Sequence, residues 1–453
     1  MTLLYLHIMH RENWNNRSAQ LANLLVAITF VLVPFYAFLS VFGSKLLGHF
    51  TLIRLFDEVL LLLLVMIVSI IVSQDKRLRK QLLNKLTVKL MLAYLLLFLM
   101  LAAVALARNE VSAKALLYSF VIDTRILVWF ICVLVVSMKS SWLYDHWRQI
   151  ILIPLSLVLV FGFLQFFVLP VNFLAHFGYG KDTYVAYTTI NQNTITIRVA
   201  SFLRGPNPLG AYLAAIVSVI AGTVYFTRKN WYSFLLLFGS LLVLFLTFSR
   251  SGWIGAFVGM IVAIILRARS SKLRKAYLAV IAIATVLGLG IVLADRHSLA
   301  VQNALLHVNR NSTAQQTSNQ GHLKDTLSGI KAVVMNPLGE GPGTAGPASW
   351  YNSGHQIRDT ENYFLQIGDE LGWAELILFV AIIASVFRDL WQRQGYDLAI
   401  GMIAGLIGLL FVAQFSYAWD DDTLAYVWWG LAAIAIAKPI IESKITEQKT
   451  KKT

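Results

Sequence analysis

Apolar residues in this chain fall in long unbroken runs, separated by short charged or turn-rich segments, and the runs show no polar opposite face. Runs of this kind read as helices crossing the roughly 30 Å apolar core of a bilayer, for which about 20 residues make a full span. The pattern predicts spans near 21–42, 58–73, 90–106, 121–138, 149–170, 208–227, 231–248, 252–266, 276–294, 371–387, 398–415 and 424–437, about twelve in all. An all-α polytopic membrane bundle is the expected fold class, because a closed barrel would show short alternating segments instead. The chain then divides into residues 1–294 with nine spans, a large external loop over 295–370 between helices 9 and 10, and residues 371–453 with three spans and a basic tail. The first run is too long for a signal-peptide core and follows a start containing Arg11 and Arg17, so it is expected to stay attached.

Composition agrees: 58% hydrophobic and 13% charged residues over 453 positions exclude a soluble globular domain. The formal charge of +15 is concentrated in QDKRLRKQLLNKLTVK (74–89), RARSSKLRK (267–275) and the tail from Lys438. With both termini cytoplasmic these segments lie inside, as the positive-inside rule requires, so the charge reports topology and attraction to membrane lipids and not nucleic acid. The single cysteine, Cys132, excludes an intrachain disulfide and a cysteine metal site, and nine scattered histidines show no HExxH spacing. No metal and no cofactor are expected.

Charges at the ends of apolar runs carry the candidate chemistry. Arg250 is the only charged residue between Trp231 and Leu266, a stretch too long for one crossing. It is read as two helices turning back at Ser249-Arg250-Ser251, which puts the arginine at a membrane face as a functional cation or a snorkelling anchor. Upstream, TIRVASFLRGPNPLGAYL places Arg198 and Arg204 before a Pro206-Asn207-Pro208 turn, after which a helix is expected to start with its unpaired amides favouring an anion. Guanidinium groups clamp phosphate bidentately, so three cations near one face suit a phosphorylated ligand. The alternative is that Arg198 and Arg204 pair with outer acidic residues.

Within the large loop, 308–321 is polar, whereas 323–335 puts Leu323, Leu327, Ile330 and Val334 on one helical face, expected to lie on the membrane or cap the bundle. The LGEGPGTAG segment that follows lacks the strand and lysine of a phosphate-binding loop and reads as a turn, with a place along a substrate path left open. Asp420-Asp421-Asp422 reads as a charged external turn, since three consecutive residues of a helix cannot all face one ion. Trp419 and Tyr417 beside it suit either sugar stacking or the interfacial belt.

Four segments in order resemble motifs of the O-antigen ligase and polymerase superfamily. They are Arg198-Val199-Ala200-Ser201 with Pro206-Asn207 and Gly210-Ala211-Tyr212-Leu213; Thr247-Phe248-Ser249-Arg250-Ser251; Asn336-Pro337-Leu338-Gly339-Glu340-Gly341-Pro342-Gly343; and Glu361-Asn362-Tyr363-Phe364-Leu365 with Glu370-Leu371-Gly372. The resemblance spans about 198–372 and implies a bacterial cytoplasmic-membrane glycosyltransferase working on the extracytoplasmic face. Its donor would be a glycan on a polyprenyl (undecaprenyl) diphosphate, its acceptor another glycan or a lipid, and a chain-length regulator is a further expected partner. On this resemblance Arg198 and Arg250 hold the diphosphate; Arg204, Asn207, His355, Arg358 and Asn362 are further substrate-binding candidates.

The chain departs from the family at one place, where the ligases carry histidine and this sequence has Glu361. Glu361 is a general base or a first-turn acid favoured by the helix dipole, with the nearby His355 and Arg358 as alternatives, while His322 and Lys324 approach only if the loop folds over the site. The departure favours a metal-independent polysaccharide polymerase over a ligase. A lipid-linked oligosaccharide transporter, the rival of another class, would show internal repeats and midplane charges. The sequence shows no such halves. A noncatalytic scaffold would leave the boundary arginines unexplained.

Overall fold

The computed structural model describes residues 2–190, 197–223, 231–268, 318–352, 358 and 360–437, with scattered positions between 272 and 302. Helix α1 (Thr2–Leu32) passes through a 3-10 turn at Val33–Phe35, where Pro34 withholds a backbone donor, into α2 (Tyr36–Leu47). Next come α3 (Phe50–Ile53), α4 (Phe56–Gln74), α5 (Lys76–Asn84), α6 (Leu86–Ala107), α7 (Ala113–Lys139) and α8 (Trp142–Phe167). A two-residue antiparallel pair, β1 (Thr188–Thr189) with β2 (Ile197–Arg198), precedes α9 (Pro206–Thr223). Then follow α10 (Trp231–Leu246), α11 (Arg250–Arg267), α12 (Ser318–Met335), α13 (Tyr363–Trp391), α14 (Asp397–Val412) and α15 (Asp422–Ala437).

The fold is essentially all-α. Among the described residues eight helices are long and apolar enough to cross a membrane, and α10, α14 and α15 are shorter apolar helices. Every predicted run except 276–294 meets a described helix; that run lies largely outside the described residues. Boundaries moved where caps intervene. Ser112 accepts from the Ala115 amide and starts α7 early, and Asn362 accepts from the Phe364 and Leu365 amides at 2.9 and 3.0 Å and starts α13 ahead of the apolar run. Gly372, at φ 81°, then kinks α13. Helix α9 begins on the Pro-Asn-Pro segment itself, with prolines in its first turn where no amide is needed.

Close packing by small residues sets the geometry that matters for function. A β-carbon at Gly222 would lie 2.5 Å from Gly401, one at Gly255 2.5 Å from Val412 Cγ2, and one at Gly210 2.5 Å from the Ser249 Cβ. Such contacts let α9, α11 and α14 approach backbone to backbone, which supplies the van der Waals attraction that burial from water cannot supply inside lipid. They also gather the start of α9, the start of α11 and the end of α14 at one end of the bundle. Helix α15 is buried along its whole length and docks on α7, where Trp129 Nε1 donates to the Tyr426 carbonyl at 2.8 Å.

Burial overturns the expectation for Asp420–Asp422. All three side chains are buried, not solvated in a turn. Arg125, inside α7, pairs with Asp422 and with Glu58 (3.4 Å) and donates to the Asp420 carbonyl at 2.6 Å. Buried charges persist when paired, and here one guanidinium serves three elements at once. Signals for this network were present in the lone Arg125 and in Asp57-Glu58 at the start of an apolar run, but pairing across such distances in sequence has no local pattern.

Helix α12 presents two faces. His322, Thr326, Gly329 and Val333 turn toward the bundle, and Trp373 Nε1 donates to the Val333 carbonyl at 2.7 Å. Leu323, Leu327, Ile330 and Val334 are exposed, as expected for a face that meets lipid.

Candidate functional site

Arg198 is positioned by backbone before it meets any ligand. Its Nε donates to the Thr247 carbonyl at 2.9 Å, and its Nη2 donates to Asn207 Oδ1 at 2.5 Å and to the Phe248 carbonyl at 3.5 Å. The guanidinium thus ties β2 to the first turn of α9 and to the turn between α10 and α11. That turn is tight: Phe248 has φ 51°, Ser249 caps α11, and Arg250 is the first helical residue. Arg198, Asn207, Phe248, Arg250, Ser251 and His322 all line one cavity of about 490 Å³. Burial, and then the neighbouring Arg250, push the Arg198 guanidinium down to about 10. Two like charges held beside one cavity disfavour each other and favour an anion.

A second cavity, of about 200 Å³, adjoins the first and shares Asn207, His322 and Phe415 with it. Its other lining residues include Arg204, Glu361, Tyr417 and Asp421. Arg204 pairs with Asp421 at 3.3 Å, which realises the acidic-partner alternative for this arginine. Burial pushes the Asp421 carboxyl up, with Arg204 opposing; burial likewise disfavours charged Arg204, yet Asp421 and Asp422 carry it above its ordinary value.

Beside His322, which lines both cavities, Glu361 lines the second. Its φ of 46° is a left-handed conformation unfavourable for a residue with a side chain, and the Tyr417 hydroxyl holds it there by accepting from the Thr360 and Glu361 amides at 2.6 and 2.9 Å. His322 Nδ1, from α12, meets the Glu361 carboxylate. Among the described residues, three of the five non-glycine residues with positive φ (Ser201, Phe248 and Glu361) lie on the motif segments, so local strain gathers where the chemistry is expected.

Other candidates are placed differently. Asn362 is buried in its helix cap, and its amide donates to the Gln414 carbonyl and Oε1 at 3.2 and 3.1 Å. Arg358 pairs with Glu340 (2.6 Å) and Asp369 (3.1 Å) and lines neither cavity. His355 lies outside the described residues. The glycine-rich loop is a structural turn: the amides of Glu340 and Gly341 donate to the carbonyls of Asp369 and Glu370, and the Gly343 amide donates to the Glu370 carboxylate. A β-carbon at Gly339 would lie 2.5 Å from the Gly372 amide, so loop and kink are fitted to each other. Tyr417 was read from sequence as a sugar-stacking or belt residue and not as a partner of Glu361, and Phe415 was not singled out. They lie next to Trp419, but nothing in their spacing points at Glu361.

Residues 234–380 match the family model described as O-antigen ligase. No curated protein matches the chain. The match takes in the Arg250 turn, the glycine-rich loop and the Glu361–Gly372 segment, and it supports the O-antigen ligase and polymerase superfamily that the motifs suggested. Over residues 234–380 the chain is similar to O-antigen ligases, and its long apolar helices are those of a multi-pass membrane protein.

Proposed function

We propose that the protein polymerises a glycan repeat unit carried on a polyprenyl diphosphate, with the arginine cavity taking the diphosphate. The observation that carries this reading is the placement of Arg198 and Arg250 on one cavity, with His322 shared by the adjoining cavity that Glu361 lines. An acceptor hydroxyl attacks the anomeric carbon of the donor sugar, and the bond from that carbon to the diphosphate oxygen breaks. Glu361, paired with His322, takes the hydroxyl proton. Negative charge grows on the departing lipid diphosphate, and two preorganised guanidinium groups stabilise it most as it grows.

Supporting an extracytoplasmic site, the basic 74–89 segment lies at the far end of α4 from Asp57, which clusters with Asp422 near the cavities. Arg125 already supplies the positive charge beside the Asp57, Glu58 and Asp422 carboxylates, which favours arginine over metal chemistry. The family description favours a second reading, in which the same site ligates the glycan to a different acceptor.

The test uses purified protein and its lipid-linked donor. Glu361→Gln should keep donor binding and lower transfer by about 10²–10⁴-fold, and excess chelator should leave wild-type transfer intact. Full transfer by Glu361→Gln removes the base assignment. Loss of transfer with chelator removes metal independence.

A further inference from the structure

A further cavity lies at the opposite end of the bundle. An apolar cavity of about 430 Å³ opens between α4 and α7 above the short helix α5, lined by Val65, Val68, Val72, Leu82, Val128 and Val135, with Ser69, Ser73 and Arg79 also on its wall. Helix α4 runs 19 residues from the Asp57 cluster to Gln74, so the α5 end lies about 28 Å from the end bearing the arginine cavity. Helix α5 is amphipathic: Leu78 and Leu82 are buried, while Lys76, Arg77, Arg79 and Lys80 are exposed. Among the described residues none of these four has an ion-pair partner. The floor is fixed, because Asp75 caps α5 through the Leu78 amide (2.9 Å) and binds Lys139 of α7 at 2.8 Å.

We propose that this groove binds one anionic phospholipid, with an acyl chain along the valine wall and the phosphate against Arg79. Apolar depth suits the chain, and four unpaired cations at the rim suit a negative headgroup over a neutral one. Each basic residue near an anionic membrane surface contributes roughly 1 kcal/mol, which is about fivefold in affinity. The assignment rests on the chain spanning a membrane and is independent of the proposed glycan transfer.

The full-length protein in detergent, titrated with palmitoyl-oleoyl phosphatidylglycerol or phosphatidylcholine and read by native mass spectrometry, tests it. One phosphatidylglycerol should be retained at least about fivefold more tightly than phosphatidylcholine. Arg79→Gln should erase most of that preference, and Ser69→Trp should fill the groove and lower retention of both lipids. Arg79→Gln changes an exposed side chain and decides the matter even if Ser69→Trp fails to fold. Equal retention of the two lipids by the wild type, or an undiminished preference in Arg79→Gln, overturns the proposal.

Discussion

Gly210 offers a test of how tightly the arginine cavity depends on helix packing. A β-carbon there would lie 2.5 Å from Ser249 Cβ, 2.7 Å from Ser249 Oγ and 3.5 Å from Thr247 Oγ1. Ordinary carbon contacts begin near about 3.5 Å, so Gly210→Ala must push the turn carrying Arg250 by about 1 Å. Overpacking of this kind costs about 1–3 kcal/mol. A displacement of about 1 Å at a reacting centre lowers rates by about 10²-fold. Gly222→Ala is the matched control: its β-carbon would meet Gly401 at 2.5 Å, at the other end of the same helix. Both variants should melt at lower temperature by comparable amounts in detergent. Only Gly210→Ala should also lose transfer from lipid-linked donor by about 10²-fold, measured on folded protein after size exclusion. If Gly222→Ala loses as much transfer as Gly210→Ala, or Gly210→Ala transfers normally, the cavity does not depend on this contact.

Arg198→Lys keeps the charge but cannot span Thr247, Asn207 and Phe248, so donor affinity should fall about 10–100-fold in equilibrium binding; an unchanged affinity would leave the arginine as an anchor. The folded Arg198 value of about 10 lies below the ordinary arginine range, so the charge opposes folding throughout neutrality and a bound anion relieves that opposition. Stabilisation by sulfate, an anion whose own charge is constant over this range, followed by thermal melting, should therefore be flat through neutrality and decline as pH approaches about 10. A decline near about pH 6.5 would assign the anion to a histidine instead. A reporter fused near Asn319 should read as external and one near Lys272 as cytoplasmic, and opposite signals at both would remove the extracytoplasmic site.

The apolar runs were legible because lipid demands them: a spanning helix must satisfy its own backbone and cover itself with hydrocarbon, and both requirements are local. The hairpin at Arg250 was legible for the same reason, since a charge in the middle of that run has only one inexpensive position. What the sequence hid were partnerships between distant segments. Arg125 with Asp422, Arg204 with Asp421 and His322 with Glu361 each join separate elements, so no window of sequence contains both partners. Asp420–Asp422 misled because three adjacent carboxylates normally mean water, whereas here a buried arginine and a cavity-lining arginine replace it. Asn362 and the glycine loop drew attention as motif residues, and their hydrogen bonds show them holding the kinked helix that presents Glu361.

The lengths of α11 and α14 carry one more consequence. Arg267 and Asp397 pair at 3.4 Å and mark one boundary common to both helices. From there α11 has 18 residues and α14 has 16, which at 1.5 Å each reach about 27 and 24 Å across an apolar slab of about 30 Å. Their far ends, at Arg250 and Val412, fall short of the opposite surface by about 3–6 Å unless the bilayer dimples to meet them. A lipid-borne diphosphate would then reach these arginines at the depth of its neighbours' glycerol groups, without being drawn out into water.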